Sequence, residues 1–194
     1  MQYAAEHGYP VPQVKEVRAG GTEIVMERLD GPMMMDAIAK RPHTLIRYTR
    51  LLADLHDQLH EIRAPEWLPR LDGTGQSLLH LDLHPMNVMM TSRGPVVIDW
   101  TNAAAGDSLI DVGLTYVLLT CPRAPLPSVA RAAIQPFRLV MARVFASRYR
   151  GPAFNARTAE AAELKMFDPN MDPVEVEKCR RLAARLRSRP ARPG

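Results

Sequence analysis

Apolar residues recur every three or four positions from about His43 to Ile62, and this period predicts an amphipathic helix. Its buried stripe consists of Leu45, Tyr48, Leu51, Leu52, Leu55, Leu59 and Ile62. Residues 108–120, "SLIDVGLTYVLLT", are apolar on nearly every side, so we expect a helix that is buried all round. The stretches 128–150 and 172–186 predict two further helices in the C-terminal third.

Residues 1–40 carry shorter patterns. "MQYAAEHG" is typical of the last turns of a helix that ends at Gly8. "QVKEVR" and "TEIVMERL" predict two strands, and the "AGG" between them predicts a hairpin in which glycine supplies the positive φ. After the break at Gly31-Pro32, the segment "MMMDAIAK" predicts a short helix.

Two short apolar runs occur near the middle of the chain. "LLHLDL" at 78–83 and, past the turn "TSRG", "PVVIDW" at 95–100 predict a small buried hairpin. The order along the chain is thus a strand hairpin, helices, a second hairpin and more helices. It predicts an α+β protein that is mostly helical and has little sheet.

The composition agrees with a soluble globular protein. A chain of 194 residues is long enough for one good hydrophobic core and short for two. The formal net charge of +4 comes from residues 178–194, which carry one Lys, six Arg and no acid. Without them, residues 1–177 have 18 basic and 21 acidic residues, a net charge of −3. We therefore interpret residues 178–194 as a helix end and a solvated, disordered tail, and expect no nucleic-acid partner.

The cysteines and the hydropathy of the chain indicate the cellular compartment in which the protein is expected. Cys121 and Cys179 lie 58 positions apart without a Cys-x-x-Cys pattern, so they predict neither a disulfide scaffold nor a zinc ribbon. No apolar run reaches the roughly 18–20 residues of a membrane span. The N-terminus lacks the basic head and apolar middle of a signal peptide. We expect a cytoplasmic protein without a membrane partner.

The candidate chemistry lies in residues 77–100, "SLLHLDLHPMNVMMTSRGPVVIDW". A carboxylate that accepts or orients a hydroxyl proton assists phosphoryl transfer, because a hydroxyl is a poor nucleophile. Mg²⁺ takes oxygen ligands from one or two side chains together with phosphate oxygens. Asp82, Asn87 and Asp99 provide such a set, and a hairpin between Asn87 and Asp99 would bring those two together, since paired strands lie about 5 Å apart.

The His-x-Asp-x-x-x-x-Asn loop, followed by an apolar strand that ends in Asp, resembles the protein-kinase-like fold. More narrowly, it is similar to the aminoglycoside phosphotransferase and choline kinase branch. "HLDLHPMNVMM", "VVIDW" and the Gly-Asp-x-x-x-Asp segment at 106–111 carry the resemblance. "LLADLHDQLH", "IVMERLDG" and "YPVPQV" also match, in the order of that branch. The resemblance spans roughly residues 1–117 and fades beyond residue 120.

The resemblance implies roles for individual residues. Asp82 resembles the catalytic base, and Asn87 and Asp99 resemble the ligands of Mg²⁺. His80 is similar to the residue that braces the loop, and Asp111 to the buried acid that holds its backbone.

The resemblance also implies a nucleotide site for ATP. Met26 matches the gatekeeper position, and Glu27 and Leu29 match the hinge positions whose backbone groups bind adenine. Met89 and Ile98 would lie under the base. The implied activity is ATP-dependent phosphorylation of a hydroxyl on a small molecule.

Some parts of that family have no match in this sequence. A loop that covers the phosphates, a strand Lys and a helix Glu normally secure the nucleotide. Lys15 and Glu16 lie on a strand after the first helix and match neither residue. Three interpretations stay open: a start codon that lies upstream, a non-catalytic remnant that binds nucleotide weakly or acts as an interaction protein, and a short kinase that works without the lysine.

Other interpretations compete for single residues. His56 and His60, four apart on one helix face, have zinc-protease spacing, whereas a helix surface is the simpler interpretation. His80, Asp82 and His84 occupy alternate positions, so on a strand they would share one face and could bind the metal of a hydrolase. Asp107 could contact a cationic substrate or cap the following helix. An acidic pocket for an amine-bearing acceptor and a solvated face are the alternatives for Glu160, Glu163, Asp168 and Asp172.

These observations together predict a mostly helical C-terminal kinase lobe with a remnant hairpin and hinge of the N-terminal lobe. We assign residues 1–30 to the remnant and hinge, 31–177 to the helical lobe and 178–194 to the helix end and tail. The acceptor, the choice between ATP and GTP, and the oligomeric state do not follow from the residues.

Overall fold

A computed structural model describes residues 1–71, 75–122 and 128–188. Within these ranges the chain forms seven α-helices and six short strands. The helices are α1 (Gln2–Glu6), α2 (Met34–Lys40), α3 (Leu45–His60), α4 (Ser108–Thr120), α5 (Ser128–Ala146), α6 (Pro152–Lys165) and α7 (Pro173–Arg187). The strands are β1 (Val14–Arg18), β2 (Glu23–Met26), β3 (Ser77–Leu79), β4 (Val88–Thr91), β5 (Gly94–Val97) and β6 (Ala104–Gly106). The prediction of a mostly helical α+β protein is confirmed.

The N-terminal hairpin forms as the sequence predicts. β1 and β2 are antiparallel, and Val17 pairs with Ile24. A short 3₁₀ turn joins them, in which Ala19, Gly20 and Gly21 have φ values of 49°, 66° and 101°. Two of these three left-handed positions are glycines, which adopt positive φ at no steric cost.

The segment after β2 lies along β4. Met90 donates its backbone N–H to the Pro32 carbonyl at 2.8 Å, and Met33 forms an isolated bridge with Met89. Gly31 has a φ of 151°, and a Cβ at this position would lie 2.2 Å from the Met90 carbonyl oxygen. The close backbone approach therefore requires glycine at position 31.

The central strands pair differently from the prediction. We expected residues 78–83 and 95–100 to form one hairpin, but β5 pairs with β4, with Val88 opposite Val97. β3 instead pairs with β6, with Leu78 opposite Ala105. β6 was not predicted, because Ala and Gly have low strand propensity and give no alternating pattern.

The core has two parts. The larger cluster joins α2, α3, α5 and the faces of β3, β4 and β5, with Met34, Leu52, Leu55, Leu59 and Phe145 fully buried. The smaller cluster joins α4, α6 and α7. α4 contributes to both clusters, which confirms the prediction of a helix buried all round.

Helix α6 was not predicted. Its buried face is built mainly from small residues, Thr158, Ala159, Ala161 and Ala162, so its hydrophobic period is weak. A Cβ added to Gly113 in α4 would lie 2.9 Å from the Cα of Thr158. The small residues on both helices thus allow their backbones to approach closely.

The C-terminal prediction is only partly covered. α7 continues to Arg187, while residues 189–194 of the expected tail lie outside the described residues. Residues 72–74 and 123–127 also lie outside them. Among the helices that the structure describes, none is both long and apolar enough to cross a membrane.

Candidate active site

Asp82 lies in the loop after β3, and Asn87 and Asp99 flank the open end of the β4–β5 hairpin. Asn87 directly precedes β4, and Asp99 follows β5 by two residues. The backbone N–H of Ile98 donates to the Asn87 carbonyl at 3.0 Å, which extends the ladder by one step and brings Asn87 beside the segment that carries Asp99. The hairpin that places Asn87 beside this segment is β4–β5, and not the pairing of residues 78–83 with 95–100 that we expected.

The amide of Asn87 holds Asp82. Its Nδ2 donates to the Asp82 carbonyl at 2.9 Å and to Asp82 Oδ2 at 3.1 Å. The side chain of Asn87 is buried, whereas the Asp82 carboxylate keeps about a quarter of its surface exposed, 23%. Asp82 is thus fixed in direction yet open to a substrate.

Asp99 lies at the exposed end of the apolar strand. Its backbone adopts φ 63°, a left-handed conformation that Asp tolerates better than most residues. Oδ1 accepts a hydrogen bond from the Thr101 hydroxyl at 2.8 Å. Within the described ranges, the other carboxylate oxygen has no hydrogen-bond partner, so it is available to a ligand.

Asp111 braces the loop that carries Asp82. Its fully buried carboxylate accepts the backbone N–H groups of His80 at 3.0 Å and Leu81 at 2.8 Å. His60 Nε2 also contacts Oδ2 at 3.0 Å. Burial alone would raise the pKa of Asp111, but the hydrogen bond and charge of His60 lower it well below its usual range. Leu81 is held in a left-handed conformation, φ 62°, beside this carboxylate.

His80 ties the loop to the segment after β5. Its Nε2 donates to the Ile98 carbonyl at 3.0 Å, and its ring lies 4.9 Å from that of Trp100. Burial lowers the pKa of His80 and favours the neutral imidazole. In the described residues its Nδ1 has no partner.

His84 lies next to Asp82. Its Nδ1 accepts the Met86 backbone N–H at 3.2 Å, so the remaining hydrogen of the neutral ring is on Nε2, 3.6 Å from Asp82 Oδ1. Burial lowers the pKa of His84, although the charge of Asp82 opposes this effect. The sequence argument treated His84 only as a possible metal ligand.

The hinge segment lies beside the same hairpin. The Glu27 carboxylate accepts hydrogen bonds from the Gln13 backbone N–H at 3.0 Å and from Arg93 Nη2 at 2.6 Å. The hydrogen bond from Arg93 lowers the pKa of Glu27. Its backbone N–H donates to the Gln13 carbonyl at 2.9 Å. Among the described residues, the carbonyl of Glu27 and the N–H of Leu29 have no partner, which leaves them free to bind a ligand.

The remaining predicted base-site residues, Met26, Met89 and Ile98, retain exposed surface. Met26 ends β2 with 44% of its surface exposed. Met89 is joined to the hinge segment by its bridge to Met33. All three side chains therefore keep surface that a ligand can contact.

The competing interpretations find little support. His56 is not on the helix surface but fully buried, with Nδ1 at 2.8 Å from the Leu52 carbonyl and Nε2 at 2.8 Å from Thr115 Oγ1. His60 faces Asp111. In the part of the chain that the structure describes, no three His, Cys, Asp or Glu side chains are grouped to hold a metal.

The acidic residues near α6 already have partners. Asp107 caps α4 by accepting the Leu109 N–H at 2.9 Å, and it pairs with Arg157 at 2.8 Å. The ion pairs of the others are Arg157–Glu160, Arg187–Glu163 and Lys165–Asp168, and Asp172 forms the capping box of α7 with Glu175. Ion pairing and capping therefore account for these carboxylates without a substrate.

Two supporting residues were missed by sequence reasoning. His60 contacts Asp111 across 51 positions, and Thr115 links His56 to the Leu83 carbonyl. A polar residue on the otherwise apolar α4, such as Thr115, was the available signal. Its partners, however, are far away in sequence.

Asn87 and Asp99 offer oxygen atoms of the kind that a hard divalent cation binds. Because Asn87 donates both amide hydrogens to Asp82, its Oδ1 is directed away from that carboxylate. The amide oxygen of Asn87 and the free oxygen of Asp99 are the type of ligand that Mg²⁺ takes, with phosphate oxygens and water completing its shell.

Comparisons with known proteins identify the family of the chain. Residues 38–143 match the model of a family described as "Phosphotransferase enzyme family" (APH). No curated protein matches the chain. Among solved structures, a choline/ethanolamine kinase family protein from Mesorhizobium loti aligns with a TM-score of 0.58 at 15% identity, covering 97% of this chain and 76% of that one.

A second solved structure is the amicoumacin kinase hAmiN in complex with AMP-PNP, Ca²⁺ and Ami. It aligns with a TM-score of 0.49 at 14% identity, over 95% of this chain and 74% of that one. The Mesorhizobium loti protein is 15% identical to this chain. At that identity the likeness concerns the fold alone, because proteins of one fold act on many different substrates.

Proposed function

The chain belongs to the phosphotransferase enzyme family, and we propose that it transfers the γ-phosphoryl group of ATP to a hydroxyl group of a small molecule. The observation that supports this most is the position of Asp82. Its carboxylate is open to solvent on one side and held by Asn87 on the other. We assign the reaction to the cytoplasm, where ATP is available.

Asp82 is the proposed catalytic base. A hydroxyl of the acceptor that donates to the Asp82 carboxylate would have its oxygen oriented toward the phosphorus and its proton accepted during transfer. The hydrogen bond from Asn87 fixes Oδ2, and the Nε2–H of His84 faces Oδ1. Fixed orientation is what this role demands, because positioning and charge stabilisation supply most of the catalysis in phosphoryl transfer.

Asn87 and Asp99 are the proposed ligands of Mg²⁺. When bound there, the ion would neutralise charge on the phosphate oxygens. Thr101 orients Asp99 through its hydrogen bond to Oδ1, and Asp82 orients Asn87 by accepting both amide hydrogens. Both ligands are thereby fixed before any nucleotide binds, which lowers the entropic cost of binding.

The hinge is the proposed site of adenine. The free carbonyl of Glu27 can accept, and the free N–H of Leu29 can donate, so the pair is complementary to a base edge with one donor and one acceptor. Met26, Met89 and Ile98 would contact the base. The Glu27–Arg93 ion pair connects this segment to the β4–β5 turn.

The test is Mg²⁺-dependent ATP binding and phosphoryl transfer by the 194-residue chain. Calorimetry would compare the unmodified protein with Asp99→Asn and Asp82→Asn, with GTP in parallel. We expect Asp99→Asn to abolish the Mg²⁺-dependent part of binding. Asp82→Asn should retain binding and reduce transfer about 100-fold or more.

Transfer would be measured with a panel of hydroxyl compounds, including aminoglycosides, amino-alcohols and sugars. Transfer to one class would identify the acceptor. Nucleotide binding without transfer to any acceptor would favour the alternative, a nucleotide-binding protein without catalysis. Binding that is unchanged in Asp99→Asn would contradict the proposed site.

A further inference from the structure

Cys121 and Cys179 meet in the smaller core cluster. Cys121 is the residue directly after α4, and Cys179 lies in the middle of α7. Both thiols are free, and both are buried, with 2% and 0% of their surface exposed. The fold thus brings together two cysteines that are 58 positions apart in a sequence that gave no sign of a pair.

Cys121 and Cys179 lie in one buried cluster between α4 and α7. Lys178, the residue before Cys179 in α7, donates from Nζ to the Cys121 carbonyl at 3.3 Å. Cys121 Sγ also lies 3.7 Å from the Thr120 hydroxyl. These contacts hold Cys121 against the part of α7 that carries Cys179.

Positive charge surrounds Cys121. Lys178 Nζ donates to the Cys121 carbonyl at 3.3 Å, and Arg138 Nε donates to the Leu119 carbonyl at 3.2 Å. The hydrogen bond from Cys179 lowers the pKa of the Cys121 thiol, and the charges of Lys178 and Arg138 add to this effect. The hydrogen bond with Cys121, followed by burial, raises the pKa of Cys179. Cys121 is therefore the thiol of the pair that ionises first.

We propose that Cys121 and Cys179 are an oxidation site at which peroxide closes an intramolecular disulfide between the end of α4 and α7. The Cys121 thiolate attacks hydrogen peroxide, forms a sulfenic acid and releases hydroxide. The Cys179 thiol then attacks the Cys121 sulfur, the S–O bond breaks, and water leaves with the thiol proton. Cysteine is oxidised and peroxide is reduced to water and hydroxide, so the two steps balance.

Because both thiols are buried, the oxidant has to be small. Hydrogen peroxide is small enough to reach thiols that a bulkier disulfide reagent would not reach in the folded protein. Closure would covalently connect α7 to the end of α4, with α6 packed against both helices. The crosslink spans 58 positions, and constraining the unfolded chain over such a loop raises stability.

The test uses the full chain, first reduced with dithiothreitol and then exposed to hydrogen peroxide. Intact mass spectrometry should show the loss of two hydrogens. Cleavage after glutamate should leave fragments 67–160 and 178–194 joined until reductant is added. The melting temperature should rise by roughly 5–15 °C and return on reduction.

Two variants test the order of the steps. Cys179→Ser should stop at a sulfenic acid on Cys121, detectable with dimedone, and Cys121→Ser should leave Cys179 unmodified. Circular dichroism would establish that both variants are folded. The proposal is overturned if the unmodified protein forms the crosslink only after denaturation or only between molecules. It is also overturned if Cys179, and not Cys121, becomes the sulfenic acid.

Discussion

Asn87 donates both hydrogens of its side-chain amide to Asp82, one to the backbone carbonyl at 2.9 Å and one to Oδ2 at 3.1 Å. One residue thereby orients the proposed base, while its own side-chain oxygen is turned away from Asp82. The amide nitrogen orients Asp82, and the amide oxygen is the proposed metal ligand. A substitution that changes only the nitrogen therefore separates the two functions.

Replacing Asn87 by Asp keeps an oxygen ligand and removes both donors. The new carboxylate would face the Asp82 carboxylate, and the repulsion would turn Asp82 out of position. We expect the rate of transfer to fall about 100-fold, because misplacement of a catalytic group costs about that much. The matched control is Asn102→Asp at an exposed position, which should retain activity. An Asn87→Asp variant with the original rate would contradict the assigned role.

Asp111→Asn tests the brace of the loop. The carboxylate is fully buried and accepts three hydrogen bonds, and an amide nitrogen in the place of one oxygen would face a donor. We expect the free energy of unfolding to decrease by about 2–4 kcal/mol in urea titrations. Glu61→Gln removes one carboxylate at an exposed position and should change stability by less than about 0.5 kcal/mol. Equal effects of the two substitutions would mean that Asp111 does not brace the loop.

His56 predicts a loss of stability in mild acid. Burial lowers its pKa from 6.5 to about 4, with Asp111 opposing and His60 and His80 adding to the shift. The unfolded chain therefore binds a proton between these two pH values that the folded protein does not. This contribution to stability is fully present above pH 6.5 and is lost as the pH falls toward 4. The loss by pH 4 amounts to roughly 3 kcal/mol.

The measurement is the free energy of unfolding from pH 8 to pH 4 for the unmodified protein, His56→Gln and the exposed control His43→Gln. The decline should be smaller in His56→Gln and unchanged in His43→Gln. A stability that increased on acidification would mean that a charged imidazole donates to both Leu52 and Thr115.

Gly113→Ala tests the close contact between α4 and α6. Alanine favours a helix over glycine by about 1 kcal/mol, but its Cβ would lie 2.9 Å from Thr158 Cα. Because the obstructing atom is backbone, overpacking should prevail, with a net loss of about 1–2 kcal/mol in thermal unfolding. Gly113→Val should be worse. If the two substitutions have the same effect, the space at Gly113 does not limit the packing of these helices.

The helices and the loop chemistry could be predicted because their determinants are local. The period of apolar residues defined α3, and the positions of glycine defined the β1–β2 hairpin. Strand pairing was wrong where the decision was not local. By pattern alone, residues 78–79 could pair with β5 or with β6. β6 consists of two alanines and a glycine, which give no strand signal.

The candidate site shows the same division. Asp82, Asn87 and Asp99 were found from spacing, and the structure brings Asn87 beside the segment of Asp99 through the hydrogen bond from Ile98. His60 was assigned to a helix surface, although it contacts the buried Asp111. Helix α6 was missed because alanine is compatible with buried and exposed positions alike.

The sequence by itself determined the helical period, the family motif and the polar side chains that carry the proposed chemistry, because each of these depends on residues within one or two turns. The tertiary structure alone decided which distant groups meet. Through helix packing, His60 and Thr115 became supports of the loop, and Cys121 and Cys179 came to lie in one buried cluster. Such contacts between residues 50 or more positions apart depend on how whole helices fit together, and no local pattern of residues records that fit.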